Sequence, residues 1–150
     1  MKNHIIKFKN KKIKVGIIGL GYVGLPLVKL FVKKKIEVLG VDLDKKKIDF
    51  LSKGKSYINS KNLKDFDYFF YKKKNLSYNY DILNNADVII ICLPTPLKKF
   101  KPDMSYVFNC AKKLSSLNLK NKLLILESTV YPGATNTFFN ILTKKKKNIT

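Results

Sequence analysis

Residues 14–24 have the sequence KVGIIGLGYVG, which joins a short apolar run to three glycines at fixed spacing. Gly19 permits a tight turn, Gly21 lets the backbone approach a pyrophosphate, and Gly24 allows a following helix to pack on its strand. The free N–H groups and the positive dipole end of that helix then face the phosphates. The spacing therefore predicts a dinucleotide-binding turn, provided that a strand precedes it and a helix follows.

The residues on both sides of the glycines meet that condition. The run before the turn is rich in β-branched side chains, which favour a strand. Apolar residues recur after the turn at helical spacing, at Val23, Leu27, Leu30 and Phe31. Asp42 closes a second predicted strand about 20 positions further on, where an acidic side chain accepts hydrogen bonds from the adenosine ribose. The alternative, a glycine turn in a nucleotide-free α/β protein, is less favoured.

The charge of Asp42 also bears on which dinucleotide binds. A carboxylate at this position repels the 2′-phosphate of NADP, so we predict NAD. Lys45, Lys46 and Lys47 follow closely and could offset that negative charge. NADP therefore stays open as the weaker alternative.

Composition limits the class of protein. A chain of 150 residues with 45% hydrophobic content can bury one domain core, and it has no apolar stretch long enough to cross a membrane.

The cysteines, Cys92 in an apolar strand and Cys110 in a helix, are typical of reduced, packed thiols in the cytoplasm. Residues 1–12 are basic and have no apolar segment of a secretory signal, so we expect a tail. His4 stands alone in it, and no metal site is predicted.

The formal net charge of +21 raises the question of a nucleic-acid partner, since clustered lysines neutralise phosphates. All 31 basic residues are Lys, whereas a protein that reads nucleic acid is expected to use Arg as well. The lysines are spread along the chain among many Asn and Ile residues, a pattern typical of drift toward A/T-rich codons. We therefore predict no specific nucleic-acid partner, only weak affinity for polyanions.

Strands and helices alternate along the chain, which predicts an α/β fold. We expect a Rossmann-like doubly wound parallel sheet of order 3-2-1-4-5, with its final strand missing. Asp44 and Asp103 are placed to cap two of the helices. The aromatic run at 68–71 is expected to fill a core rather than to stack on bases. The predicted strands lie at 13–18, 36–41, 76–80, 87–93 and 123–126.

Four candidate residues or turns follow four different strands. They are the Gly19 turn, Asp42, Thr95 within the stiff Pro-Thr-Pro loop, and Thr129. Ligands of open α/β sheets bind outside the carboxyl ends of the strands, so these four should line one crevice. For both threonines an alternative stays open, namely a hydroxyl that caps the following helix or turn.

Four motifs in order carry a family resemblance: GLGYVGLP at 19–26, PTPL at 94–97, PDMSYV at 102–107 and ESTVYPG at 127–133. Together they resemble the N-terminal domain of the nucleotide-sugar 6-dehydrogenases, the UDP-glucose/GDP-mannose dehydrogenase family. The resemblance extends from about Lys12 to the last helix. The last two motifs are most similar to the UDP-N-acetylglucosamine/galactosamine branch, since UDP-glucose enzymes more often have KSTVP in the final position.

The resemblance implies a reaction and a role for each candidate residue. In this family NAD accepts two hydrides in succession as the C6 alcohol of a UDP-sugar becomes a carboxylate, for surface polysaccharide synthesis. The backbone at Tyr22 and Val23 is assigned to the pyrophosphate, the aspartate after the second strand to the ribose, and Lys47 to the adenine side. Thr95 and Thr129 are assigned to the nicotinamide side. The Thr129 hydroxyl would lie close to the reacting carbon, which makes it the catalytic candidate.

The sequence departs from the family pattern in length. Family members continue through a catalytic Glu, a helix with a Lys, and a domain with the nucleophilic Cys, and neither Cys92 nor Cys110 has that context. The thiohemiacetal and thioester steps need such a nucleophile. We therefore expect residues 13–150 to be the NAD-binding domain of a homo-oligomeric enzyme, and this chain alone to be inactive. A stand-alone NAD-binding module and a polyanion-binding protein stay open as alternatives.

Overall fold

The computed structural model describes residues 2–54 and 75–144. A parallel five-stranded sheet forms its centre, in the order β3-β2-β1-β4-β7. Two further strands, β5 and β6, form a small antiparallel hairpin beside it. Because β7 is the fifth strand of the main sheet, the predicted order 3-2-1-4-5 is confirmed. The strands are β1 (Lys14–Ile18), β2 (Glu37–Val41), β3 (Leu76–Ser77), β4 (Val88–Ile91), β5 (Leu97–Lys98), β6 (Lys101–Pro102) and β7 (Leu123–Leu126).

Helices cover both faces of the sheet. One core packs α2 and α3 against the sheet through side chains such as Val28 and Leu51. The other core packs α4, α5 and a 3₁₀ helix against the opposite face, with Val107 and Phe138 among its members. This two-sided burial explains why β4 is apolar along its whole length and why β1 and β2 are apolar after their first residue. The helices are α1 (Lys2–Lys9), α2 (Gly24–Lys33), α3 (Lys45–Ser52), the 3₁₀ helix Tyr80–Asn85, α4 (Ser105–Leu114) and α5 (Ala134–Lys144).

The start of α3 follows from local chemistry. The Asp44 carboxylate accepts hydrogen bonds from the backbone N–H groups of Lys46 and Lys47, which lack helical partners. Gly54 lies just beyond the end of the helix with φ +69°, a conformation that glycine adopts without strain. The predicted cap at Asp44 is therefore confirmed, and it places the first turn of α3 beside the end of β2.

The N-terminal segment differs from the expected tail. It forms helix α1, which contacts the edge of the sheet where the strands begin. The Lys7 ammonium lies 2.5 Å from Oδ1 of Asp87, and Nε2 of His4 lies 2.9 Å from the backbone carbonyl of Asn121. The expectation that His4 stands alone is therefore wrong. Its partner is more than a hundred residues away in sequence, so no local pattern indicates the contact.

The remaining strands and the membrane-span prediction compare with the structure as follows. The third strand is confirmed but shorter than predicted, since β3 has only two residues. The aromatic run at 68–71 lies outside the described residues. The hairpin of β5 and β6 was not expected, and its turn residues Lys99 and Phe100 both have positive φ. Within 2–54 and 75–144, no helix is long and apolar enough to cross a bilayer.

Candidate cofactor site

The glycine turn after β1 is held by close backbone contacts. Gly19 has φ +89°, and a Cβ atom added there would lie 2.5 Å from the carbonyl oxygen of Cys92. A Cβ atom on Gly24 would collide with the carbonyl oxygen of Gly19. Both approaches are far below contact distance, so glycine is required at these two positions by the fold itself.

Gly21 differs from the other two glycines because the space around it is open. A Cβ atom on Gly21 would have no heavy atom within 4 Å. The next two residues are also accessible, with Tyr22 84% and Val23 53% exposed. No side chain caps the first turn of α2 at Val23, so backbone N–H groups are left there as donors. An open turn with uncapped donors fits a pyrophosphate group.

The Asp42 carboxylate joins the end of β2 to the glycine turn. Its Oδ2 accepts a hydrogen bond from the N–H of Leu20 at 3.0 Å, and its Oδ1 accepts one from the N–H of Asp44 at 3.0 Å. These bonds fix the orientation of the carboxylate, whose side chain is only 12% exposed. A carboxylate has about four acceptor sites, so positions remain for ribose hydroxyls.

Lysines of α3 lie on the same side of the site. The Lys47 ammonium is 3.5 Å from Oδ2 of Asp42, and the Lys45 ammonium is 4.8 Å from the centre of the Tyr78 ring. Because the Lys47 side chain is 36% exposed, solvent screens its pair with Asp42. The negative charge of Asp42 therefore still acts on a neighbouring phosphate, as the prediction of NAD requires.

Thr95 and Thr129 are brought together by a hydrogen bond. The hydroxyl of Thr95 donates to the backbone carbonyl of Thr129 at 2.9 Å. This bond links the loop after β4 to the loop after β7. The hydroxyl of Thr95 is thus engaged across two strands and does not cap a helix of its own segment.

Ser128 is a site residue that sequence reasoning missed. Its hydroxyl accepts a hydrogen bond from the N–H of Leu93 at 2.9 Å and lies 3.3 Å from the carbonyl of Ile91. It therefore fixes the same two loops one residue before Thr129. The signal in the sequence was its position, a hydroxyl two residues after β7 at the ligand-binding edge of the sheet.

Contacts thus connect the carboxyl ends of four neighbouring strands. Asp42 of β2 bonds to the turn after β1, that turn packs on Cys92 after β4, and Ser128 after β7 bonds to Leu93. The four predicted positions lie on one edge of the sheet, as their places in the sequence indicated. We call this the cofactor edge.

The two thiols of the chain are not poised as nucleophiles. Burial, with a smaller effect of Glu127, raises the pKa of the Cys92 thiol to about 11. Burial raises the pKa of the Cys110 thiol to about 12. Since the thiolate is the reactive form, both groups are inert near neutral pH.

Comparison with known proteins agrees with this geometry. The NAD binding domain of the UDP-glucose/GDP-mannose dehydrogenase family matches residues 13–150. The chain belongs to this family. The predicted resemblance and the predicted cofactor, NAD, are therefore confirmed. The roles of the individual site residues stay predictions.

Similar proteins of this dehydrogenase family are known by sequence. The UDP-N-acetyl-D-mannosamine dehydrogenase of Campylobacter jejuni is 34% identical over 140 residues, which are 91% of this chain and 34% of that protein. The UDP-N-acetyl-D-glucosamine 6-dehydrogenase of Pseudomonas aeruginosa is 34% identical over 129 residues, which are 83% of this chain and 29% of that protein. The chain thus spans about a third of the length of these curated relatives.

Solved structures of the family share the fold. A UDP-D-ManNAc dehydrogenase from Pyrococcus horikoshii superposes with a TM-score of 0.79 at 27% identity, over 87% of this chain and 32% of that one. A ternary complex of GDP-mannose dehydrogenase from Pseudomonas aeruginosa gives 0.77 at 27% identity, over 86% and 31%. In each case the match covers one domain of a longer dehydrogenase.

Proposed function

We propose that residues 13–150 form the NAD-binding domain of a cytoplasmic, homo-oligomeric dehydrogenase that oxidises the C6 alcohol of a UDP-sugar to a carboxylate. The observation that carries this proposal is the cofactor edge of a domain of the UDP-glucose/GDP-mannose dehydrogenase family. The uncapped turn at Gly21 and the oriented Asp42 carboxylate there suit a dinucleotide.

The substrate class that we propose is a UDP-N-acetylhexosamine. The motifs at 102–107 and 127–133 favour the UDP-N-acetylglucosamine/galactosamine branch. The similar proteins of Campylobacter jejuni and Pseudomonas aeruginosa are named for UDP-N-acetyl-D-mannosamine and UDP-N-acetyl-D-glucosamine. These names share a UDP-linked N-acetylated hexose, and we assign that class without choosing an epimer.

On the adenosine side, we assign the phosphates to the backbone of Tyr22 and Val23, where the helix N-terminus offers uncapped donors. We assign the ribose hydroxyls to Asp42, whose two backbone bonds aim its remaining acceptor positions. We assign Lys47, whose ammonium lies 3.5 Å from Oδ2 of Asp42, to the adenine side.

On the nicotinamide side, we assign Thr95 and Thr129. When bound, NAD supplies the hydride acceptor for oxidation of the alcohol. The Thr129 hydroxyl is assigned to orient the reacting carbon, and the bond from Thr95 to the Thr129 carbonyl holds that residue in place. Ser128 supports the same loop from the other side of the backbone.

The experiment that tests these assignments is NMR of the isotope-labelled chain with NAD. We expect intermolecular cross-peaks between nicotinamide protons and the methyl groups of Thr95 and Thr129, and between adenine protons and the Lys47 side chain. Thr137, an exposed threonine of α5, is the matched control and should show none. Binding with the nicotinamide protons near Lys47, or with no contact to either threonine, would contradict the proposed orientation.

A further inference from the structure

A cavity lies at the edge of the sheet opposite the cofactor edge, where the strands begin. Its volume is about 400 Å³, within the range of small-molecule sites (roughly 300–1,000 Å³). Helix α1 forms one wall, and this helix precedes the first residue of the family match. The polar residues that line the cavity are His4, Lys7, Asp87, Lys120, Asn121 and Lys122.

The lining carries an excess of positive charge. Its lining includes the three lysines Lys7, Lys120 and Lys122 and one carboxylate, that of Asp87. Asp87 is already bonded twice, by the Lys7 ammonium at 2.5 Å and by the N–H of Lys14 at 3.0 Å. It therefore neutralises about one of the three cations and leaves a net charge suited to a dianion.

The cations also hold unused hydrogen-bond donors. The Lys122 ammonium donates to the backbone carbonyls of Asn84 at 2.7 Å and Ala86 at 2.5 Å. Each ammonium has three N–H donors, so at least one remains on Lys122 and two on Lys7 beyond these contacts. An anion in the cavity would receive donors from two elements that are far apart in sequence.

The crowding of these cations has an electrostatic cost that an anion would relieve. Partial burial lowers the pKa of the Lys122 ammonium, and the Lys7 ammonium adds to this effect against the opposing effect of Asp87. A dianion between the two ammonium groups would stabilise their charged forms. Compact lysine charges are well suited to phosphate.

We propose that this cavity binds a phosphate dianion, either free or as the phosphate of a small monoester. The site is separate from the cofactor edge and is formed only when α1 is docked on the sheet. Binding there would also hold α1 in place, since Lys7 and His4 of that helix line the cavity.

The test is a titration of the ¹⁵N-labelled 150-residue chain with inorganic phosphate and, in a second arm, glycerol 3-phosphate. NAD is kept saturating so that the glycine turn is occupied, and ionic strength is held constant with sodium chloride. We expect saturable shifts of the Asp87, Asn121 and Lys122 amides in at least one arm. The compound that binds with the higher affinity shows whether the site takes free phosphate or a phosphate monoester. Shifts that do not saturate, or that spread evenly over all lysines, would overturn the proposal.

A pair of variants separates this site from the general charge of the chain. Lys120→Gln removes a cavity lysine whose side chain is exposed, and it should weaken the binding about three- to fivefold. Lys112→Gln removes an exposed lysine of α4 that lies outside the cavity, and it should leave the binding unchanged. Equal effects of the two substitutions would refute a specific site. Far-UV circular dichroism spectra of both variants check that the fold is intact.

Discussion

At the scale of single residues, Asp42 has two roles, because the carboxylate assigned to the ribose also holds the glycine turn. Asp42→Ala should weaken NAD binding by about 1–3 kcal/mol through loss of charge-assisted hydrogen bonds. It should also reduce the preference for NAD over NADP, because the repulsion of a 2′-phosphate is lost. Calorimetric titration with both dinucleotides measures these effects.

Asp49→Ala is the control for this prediction, since it removes an exposed carboxylate of the neighbouring helix α3. This substitution should not measurably change the affinity for NAD or the affinity for NADP. An Asp42→Ala variant with unchanged affinity for NAD and unchanged rejection of NADP would show that the ribose binds elsewhere.

The glycines of the turn allow a prediction that separates folding from binding. Gly21→Val should leave the melting temperature close to that of the parent chain, because a Cβ atom there would have no heavy atom within 4 Å. It should abolish NAD binding, because that side chain fills the space of the pyrophosphate. Gly24→Ala should instead destabilise the fold by at least about 1–3 kcal/mol, since its Cβ atom collides with a carbonyl oxygen.

Thermal melts and NAD titrations of both variants check this contrast. Normal NAD binding by a folded Gly21→Val variant would place the cofactor away from the turn. A Gly24→Ala variant as stable as the parent would show that the turn can relax around the added atom.

The sequence predicted the site residues best where a local rule applies. Glycine spacing and the acidic residue after the second strand depend on neighbours within one βαβ unit, so the positions of Gly19 and Asp42 in the fold could be predicted directly. The bond from Leu20 to Asp42 and the bonds of Ser128 depend on how loops from different strands meet. No spacing rule predicts such contacts, and only the fold reveals them.

At the scale of secondary-structure elements, the docking of α1 depends on Asp87. Burial opposes ionisation of this carboxyl, but the hydrogen bonds from Lys7 and Lys14 outweigh it and hold its pKa below the usual range. A depressed pKa stabilises the fold above the unfolded-state pKa of about 3.9, and that contribution is lost as pH falls through the folded-state pKa. Asp87→Asn should therefore cost about 1 kcal/mol near neutral pH.

Urea unfolding at neutral and at acidic pH measures this contribution. The difference between Asp87→Asn and the parent should shrink as pH falls below about 4 and vanish below the folded-state pKa, because both then carry a neutral group. Asp81→Asn, at an exposed position of the 3₁₀ helix, should show no such pH-dependent difference. A difference for Asp87→Asn that persists in acid would mean that the pair with Lys7 is not its source.

The secondary-structure elements that the sequence predicted are those marked by a continuous apolar run or by a helix cap. The buried run of β4 and the cap at Asp44 gave β4 and α3 correctly. Helix α1 was missed because its contacts are polar and distant in sequence, as the pair of Lys7 and Asp87 shows. The β5–β6 hairpin was missed because Lys99 and Phe100 adopt positive φ without the glycine or asparagine that marks such turns.

At the scale of the whole molecule, the charge of +21 predicts salt-sensitive attraction to polyanions. Affinity for duplex DNA should be independent of the DNA sequence. The logarithm of the association constant should fall linearly with the logarithm of the salt concentration. NAD binding should depend much less on salt, because its donors are largely backbone N–H groups. Fluorescence anisotropy with two unrelated DNA sequences checks this, and a preference for one of them at physiological salt would contradict it.

The chemistry of the whole chain gives the last prediction, which concerns turnover rather than binding. Oxidation of an alcohol to a carboxylate through a thioester needs a thiolate, and the sequence contains only Cys92 and Cys110. With pKa values of about 11 and about 12, fewer than about one in a thousand of either thiol is ionised near neutral pH. We therefore expect the 150-residue chain to bind NAD and yet form no NADH with UDP-N-acetylglucosamine or UDP-N-acetylmannosamine.

NADH absorbance follows this assay, and a full-length relative of the family run in parallel shows that the assay detects turnover. NADH formation in proportion to the concentration of this chain would contradict the prediction. Cys92→Ser and Cys110→Ser variants would then show whether a buried thiol takes part. Loss of turnover in one of them would mean that the thiol becomes exposed during the reaction, since burial is what keeps it protonated in the free chain.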